Sequence, residues 1–418
     1  MDFFQQGVND IGGEVKLTSA STSLNIFRKS FQKFKLVQEH YLLDKDKKQV
    51  KDFIFNAYYG GRTEVFRRGE LYNLNYYDIN SLYPSVMLNP LPNPNTVFIP
   101  DEVSEKNIIC YEGVTYCYVQ APDDLNIPLL PYKDKNTGKL IFPLGQWYGH
   151  YNNIELREAI KLGYKITPYE QILYKKTFTP FKSFITNLYE KRLYYKSINS
   201  SMEMITKLIM NSLYGKFAQR KNTNVDIKVL NSLTQQDYED ILLYNTHYDV
   251  KEDIAIKTQE EEFNGVHSFP ILSSYITSLA RLKLYWYLSQ YDVVYCDTDS
   301  IVTYDTLESS KELGEMKYEG HILKAEFFKP KMYYMEKSEY TDVKIKGVSK
   351  PTIHDIEKIK KGEIIKRDRI SKIRGSVRSG INPNTVIDGS KLLSLEDNKR
   401  VWDNNISYPI KLNNTHKI

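Results

Sequence analysis

Apolar and polar positions along this chain switch between two periods. From Val293 to Tyr304 it reads VVYCDTDSIVTY, two apolar and β-branched runs broken by Asp-Thr-Asp-Ser, a pattern that predicts a tight β-hairpin. LYNLNYYDINSLYPSVM (residues 71–87) predicts a strand entering a turn, with Pro84 fixing the exit, and LNPLPNPNTVFIP is a Pro/Asn-rich loop. From about 111 to 178, strand-like pieces such as VTYCYVQA alternate with turn signals such as KNTGK. SLNIFRKSFQKF has helical spacing and precedes the charged run LLDKDKKQVKD. The pattern turns helical from Pro180 to Arg220, with a break near SINSS, and again in SYITSLARLKLYWYLSQ ahead of the hairpin. Residues 221–268 are polar and irregular and predict an insertion. ILKAEFFKPKMYYMEK is strand-like, and a Lys/Arg-rich tail of loop composition follows. There is no internal repeat. The sum is an α+β fold, a central sheet with helices and at least one insertion.

With 418 residues the chain can bury a large core in two or three structural units. No apolar run approaches the length of a membrane span, and no short apolar stretch follows a basic N-terminus as in a secretory signal. Cys110, Cys117 and Cys296 are too scattered for a disulfide framework or a zinc site and point to a reduced compartment. The net charge of +5 is compatible with a polyanionic partner. The 34 tyrosines, with abundant Asn, Lys and Ile, follow A+T-rich codons and suit an organelle, an organellar plasmid or a virus.

Candidate chemistry begins at the hairpin tip. A turn needs one Asp or Asn at most, yet Asp297 and Asp299 put two like charges there, an arrangement suited to a divalent cation. Asp78, at the end of its strand, is either an ordinary turn cap or a third carboxylate beside them. Three carboxylates can hold two Mg²⁺ ions for in-line phosphoryl displacement. On the helix of KLIMNSLYGKF, Lys207, Asn211 and Tyr214 fall within roughly 60° of arc, with Ile205, Leu208, Ile209 and Ser212 opposite, toward the core. Such a stripe is either a solvated face or, with Arg192 and Lys196 of the preceding helix, one wall of a groove for a triphosphate. Tyr214 would then lie against a base or sugar.

DINSLYPS, KLIMNSLYG and YCDTDS, in that order, resemble motifs A, B and C of family B DNA polymerases. AYYGG resembles the Tyr-x-Gly-Gly motif of the protein-primed branch, found in linear plasmids and some phages, and KPKMYY resembles the Lys-x-Tyr motif after motif C. The resemblance covers about residues 20 to 350. It implies a right-hand fold with a palm sheet, helical fingers, a thumb and two insertions. About 100 residues lie between motif A and the Arg192 helix and 84 positions between Asn211 and Tyr295, which leaves room for the insertions. The expected boundaries are 1–56 (end of an exonuclease domain, and linker), 57–90 (palm), 91–179 (first insertion, of the terminal-protein-region type, plus palm), 180–220 (fingers), 221–268 (second insertion), 269–335 (palm) and 336–418 (thumb and tail).

The same resemblance implies residue roles. Asp78 and Asp299 would be the main ligands of two Mg²⁺ ions, with Mn²⁺ as a substitute, and Asp297 would support them. Tyr83 would pack under the deoxyribose and exclude a 2′-hydroxyl. Lys207 would bind the incoming phosphates, helped by Lys196 and Arg192, with Asn211 and Tyr214 as the floor of the base-pair pocket. Lys331 and Tyr333 would hold the primer strand and Tyr58, Gly60 and Gly61 the template, while Ser81, Ser212, Gly215 and Thr298 complete the DNA-contacting motifs. Partners would be a DNA primer-template, dNTPs and a terminal protein as primer, in a mitochondrion or, for a viral enzyme, in host cytoplasm. Only some 55 residues precede AYYGG, LTSASTSLNIFRKSF is similar to the end of an exonuclease domain, and HYLLD stands too close to the polymerase motifs to belong to a carboxylate set. The expectation is therefore no proofreading. The alternative is a decayed polymerase remnant that retains DNA binding only.

Overall fold

The apolar runs around the acidic turn pair with strands from the opposite end of the chain. The computed structural model describes residues 2–16, 18–219, 222–229, 235, 248–251, 254–261, 268–370 and 385–413. Two compact units result. The first comprises Met1–Ala218, His267–Lys346 and Glu396–Ile418, and the second Gln219–Val266 and Gly347–Leu395.

In the first unit two sheets draw strands from along the chain. They are β1 (Thr63–Val65), β2 (Glu70–Ile79), β3 (Val97–Phe98), β4 (Glu112–Gln120), β5 (Leu144–Asn152), β6 (Lys165–Tyr174), β7 (Val293–Asp297), β8 (Ser300–Thr303), β9 (Met316–Lys329), β10 (Met332–Glu336), β11 (Thr341–Ile345) and β12 (Lys411–Asn413). One sheet has the order β1-β7-β8-β2-β9-β10-β11, antiparallel throughout. The other has the order β12-β5-β4-β6-β3, antiparallel except for β12 on β5. The helices that matter for the site are α1 (Lys47–Asn56), α2 (Leu82–Val86), α3 (Asn153–Lys161), α4 (Lys182–Ser197), α5 (Met202–Ser212), α6 (Tyr214–Phe217) and α7 (Pro270–Gln290). Among the described residues no helix is long and apolar enough to cross a membrane.

α7 starts on Pro270, whose missing N–H suits a first helical turn, and is buried along most of its length. Its apolar side enters the main core through Ile271, Leu272, Ile276 and Leu284. Its polar side, Ser273, Ser274, Thr277, Ser278 and Arg281, is buried too and is therefore fully paired. Tyr275 Oη accepts from Gly113 N (2.6 Å), and Asn152 Nδ2 donates to Ser274 and Ser278 (2.7 and 2.8 Å). Arg281 makes a two-pronged pair with Glu155 of α3 (2.9 and 2.8 Å), and its remaining nitrogen donates to the carbonyls of Tyr59 and Gly60 (2.6 and 3.1 Å).

Several expectations change. Within 1–56, helices Asp2–Asp10, Ser19–Ile26 and α1 send Val8, Leu24, Ile26, Val50 and Ile54 into the main core, joined by Ile11 just past the first helix. SLNIFRKSFQKF continues from its helix into a π-helical turn, Phe27–Phe31. Between 111 and 178 lie the long strands β4, β5 and β6, with α3 between β5 and β6, and three two-residue strands, Tyr132–Lys133, Leu140–Ile141 and Thr177–Phe178. Leu208, expected in the core, is 46% exposed, because α5 buries Met202, Thr206, Ile209 and Met210 instead. In the second unit the described part of 221–268 is a three-stranded antiparallel sheet centred on Ile254–Glu261, not irregular chain. The segment 336–418 is divided, since Thr341–Ile345 forms the edge of the seven-stranded sheet and 396–413 returns to the first unit.

The Arg281–Glu155 pair is 2% and 0% exposed, so removing one charge strands the other. Glu155→Gln is expected to cost about 3–5 kcal/mol in urea unfolding. A cost below about 1 kcal/mol, the level of a surface pair, would contradict this account.

Candidate active site

Strand register brings the acidic residues to one end of the seven-stranded sheet. Asp297 pairs with Ser300 across the hairpin, and Ser300 pairs with Asp78 on β2. The hairpin closes through Thr298 and Asp299. Asp299 N donates to Asp297 O (2.7 Å), and Ile79 N donates to Asp299 O (2.6 Å), tying the turn to β2 immediately after Asp78. Thr298 has φ +65°, an unfavourable conformation for a β-branched residue. Its N–H donates to Arg62 O (2.7 Å) and its hydroxyl to Asp297 Oδ1 (3.1 Å), which offsets the strain. Ser81 and Lys331 also have positive φ, 53° and 62°, so three strained non-glycine residues lie in the proposed motifs.

The carboxylates have different surroundings. Burial pushes Asp78 up to about 7, reinforced by the charges of Asp299 and Glu319 and opposed by Lys207 and Lys317. Asp299 is raised as well, by burial and then by Asp297, against its own backbone N–H, Lys331 and Lys207. Asp297 instead has local partners: Oδ1 accepts from Lys331 Nζ (2.9 Å) and from the Thr63 and Thr298 hydroxyls (3.1 Å each). Among the described residues, no three His, Cys, Asp or Glu side chains are gathered closely enough to hold a metal ion. The charges are linked in series, with Asp299 acting on Asp78 and Asp297 acting on Asp299, and Asp297 alone has a lysine bonded to it. Both carboxyls are raised because burial and like charge outweigh the nearby lysines, and hard oxygen donors short of countercharge suit a divalent cation such as Mg²⁺ or Mn²⁺, which would supply it.

An aromatic group lies beside the carboxylates. Tyr83 of α2 and Tyr214 of α6 stack with centroids 4.5 Å apart and planes 9° apart. Burial, then the neighbouring Tyr214, pushes the Tyr58 hydroxyl up to about 12. A Cβ on Gly61 would stand 2.7 Å from Thr298 Cγ2 and 3.2 Å from Tyr83 Oη, so only glycine fits between them. Gly60 and Gly215 face open space.

The cations divide into free and committed ones. Lys207 and Lys196 are exposed, and Asn211 is half-buried. Arg192, expected on a triphosphate, donates to Glu203 (2.7 Å) and to Ser81 Oγ (2.8 Å) and so ties α4 to α5 and to the turn after Asp78. Ser212 Oγ donates to Leu208 O (2.6 Å) within its own helix. Tyr333, expected on a primer strand, is only 8% exposed and packs on Tyr295 and Phe327. Lys317 and Glu319, both acting on Asp78, and Arg281, beneath Tyr59 and Gly60, were missed. Their link to the site comes from strand register and helix packing, which no local spacing encodes.

The family described as DNA polymerase type B, organellar and viral, matches residues 2–313. The chain is 29% identical over 400 residues to a probable DNA polymerase of Podospora anserina, covering 84% of this chain and 32% of that protein. It is 28% identical over 363 residues to one of Neurospora intermedia (79% and 36%), and 30% identical over 317 residues to one of Ascobolus immersus (71% and 26%). It thus spans about a third of the length of these curated relatives. Among solved structures it is similar in fold to phi29 DNA polymerase complexed with primer-template DNA and incoming nucleotide substrates. The TM-score is 0.64 and the identity 22%, over 90% of this chain and 68% of that one. A second phi29 polymerase structure gives 0.62 at 20% identity, over the same shares.

Folded, Asp78 keeps its proton to about pH 7; unfolded, it loses it near 3.8. Folding takes up a proton between those values, so this group's contribution to stability falls as pH rises through that window. In EDTA at pH 8, Asp78→Asn is expected to melt higher than wild type, with the advantage shrinking toward pH 5. A variant less stable at pH 8, or an advantage independent of pH, would contradict the assignment.

Proposed function

This chain belongs to the organellar and viral type B DNA polymerases, and from that premise we propose that it extends a DNA 3′-hydroxyl, or a protein-primed start, with dNTPs on a DNA template. The observation that carries the reading is the register that sets Asp78 beside the Asp297–Asp299 turn, with Asp78 and Asp299 both raised by burial and like charge. Asp78 and Asp299 would hold divalent cations, Mg²⁺ or Mn²⁺, whose chemistry when bound is to activate the attacking hydroxyl and stabilise the leaving oxyanion.

The chain's own groups supply binding and orientation. Lys207, exposed and felt by both carboxylates, takes the incoming phosphates, with Lys196 as the second free cation. Arg192 acts through Ser81 and Glu203, fixing α4 and α5 against the turn after Asp78. The stacked Tyr83–Tyr214 pair forms a rigid wall for the sugar and the nascent base pair, with Asn211 in the last turn of α5, just ahead of Tyr214 at the start of α6. Lys331 restrains Asp297 and, when DNA is bound, is available to the primer backbone. Tyr58 and the open Gly60 suit the template, whose base pairing supplies the sequence information. The replicon would be a linear plasmid or viral-type DNA, in an organelle for the plasmid case, and the initiating hydroxyl can belong to a terminal protein.

Primer extension with Mg²⁺ tests the reading. Asp78→Ala and Asp299→Ala are each expected to lower turnover at least about 100-fold. Wild-type incorporation no higher than that of Asp299→Ala would instead identify a decayed remnant. Lys207→Ala should raise the dNTP KM by roughly tenfold or more, the value of one charge-assisted contact. An unchanged KM would remove Lys207 from the phosphate site.

A further inference from the structure

The turn that carries Asp297 and Asp299 leans on β1, and β1 is held from the far end of the chain. Arg62 O accepts the Thr298 N–H, and the Thr63 hydroxyl donates to Asp297, so the two residues at the start of β1 contact the turn directly. Behind them Glu64 is fully buried, paired with Arg62 at 2.6 Å and with Arg400 at 3.5 Å. Arg62 also donates to Pro128 O (2.7 Å) and lies over the Phe142 ring. Arg400 donates to Ser407 Oγ (2.8 Å) and Asn126 O (3.1 Å). Lys399 Nζ donates to Thr63 O (3.0 Å), and the Ser407 hydroxyl donates to Val65 O (2.9 Å). Lys399, Arg400 and Ser407 thus reach Thr63, Glu64 and Val65, each residue of a three-residue strand.

We propose that Arg400, Glu64 and Lys399 are positioning residues, and that the segment 396–407 sets the geometry of the Asp297–Asp299 turn through β1. A three-residue edge strand bonded to one neighbour cannot hold a strained turn by itself, because edge strands lack the second ladder that stiffens a central strand. A buried carboxylate between two guanidiniums supplies the missing rigidity, since neither partner can move without stranding a buried charge. The catalytic consequence rests on the polymerase reading; the mechanical coupling does not.

Hydrogen–deuterium exchange and single-turnover primer extension on the full chain test the proposal together. Arg400→Met is expected to speed exchange in peptides covering Val293–Thr303 by about tenfold or more, with peptides of β6 unchanged. Lys399→Met, which removes the bond to Thr63 and a charge near Glu64 but leaves the Arg62–Glu64–Arg400 cluster in place, is the milder variant should Arg400→Met fail to fold, and should speed the same peptides by about threefold. Arg157→Met, which breaks a half-buried pair with Glu112 elsewhere, controls for lost stability and should leave the turn at its wild-type rate. In extension, Arg400→Met should lower kcat by about tenfold or more with the dNTP KM within about twofold. Wild-type exchange at the turn in folded Arg400→Met or Lys399→Met would overturn the coupling, and faster exchange with unchanged kcat would overturn the positioning role. A wild-type chain that extends no primer would refute the polymerase reading, and exchange would still decide whether the segment holds the turn.

Discussion

Between β2 and β8 one pairing, Ser300 opposite Asp78, decides the rest of the site. Side chains alternate along a strand, so a slip of one residue would turn Asp78 to the other face and expose Tyr77, now 1% exposed with its hydroxyl accepting from Leu307 N. Burial of the apolar residues on either side therefore holds the register, and the register forces two carboxylates together. The fold supplies the energy that keeps like charges in proximity.

That arrangement has a cost, visible in the strain around it. Thr298 adopts a left-handed conformation that glycine would take more readily, Asp78 is pushed up to about 7, and Asp299 is raised above the ordinary carboxylate value. The surroundings offset this with oriented partners rather than with bulk. Lys331 pairs with Asp297, the charge of Lys207 acts on both half-buried carboxylates, and Arg62 O accepts the amide of the strained threonine. Division of labour follows, with two carboxyls left needing countercharge and a third already supplied.

Much of this was legible because the informative residues lie in short words. Asp297 and Asp299 are one residue apart, and their excess over what a turn needs raises the question of a cation directly. The fold class, the α4–α5 break and the long α7 followed from periodicity. What was not legible depends on contacts between distant residues. Arg192 looked like a free cation from its spacing to Lys196, but its partner Glu203 lies on the next helix. Leu208 falls on the face opposite Lys207, Asn211 and Tyr214, which the helical spacing turns toward the core, whereas α5 packs through Thr206 and Met210. Lys317 meets Asp78 only through pairing of β9 with β2, and the loop-like composition of 396–413 concealed strands that pack against β1 and β5.

The central claim is that Asp78 and Asp299, rather than all three aspartates equally, form the cation site. Mn²⁺ titration of the DNA-free protein, followed by electron paramagnetic resonance, tests it most directly. Asp78→Asn and Asp299→Asn should each lose most of the binding, while Asp297→Asn, whose carboxylate already has Lys331, should stay within about tenfold of wild type. Equal loss in Asp297→Asn and Asp299→Asn, or wild-type binding in Asp78→Asn, would contradict the account.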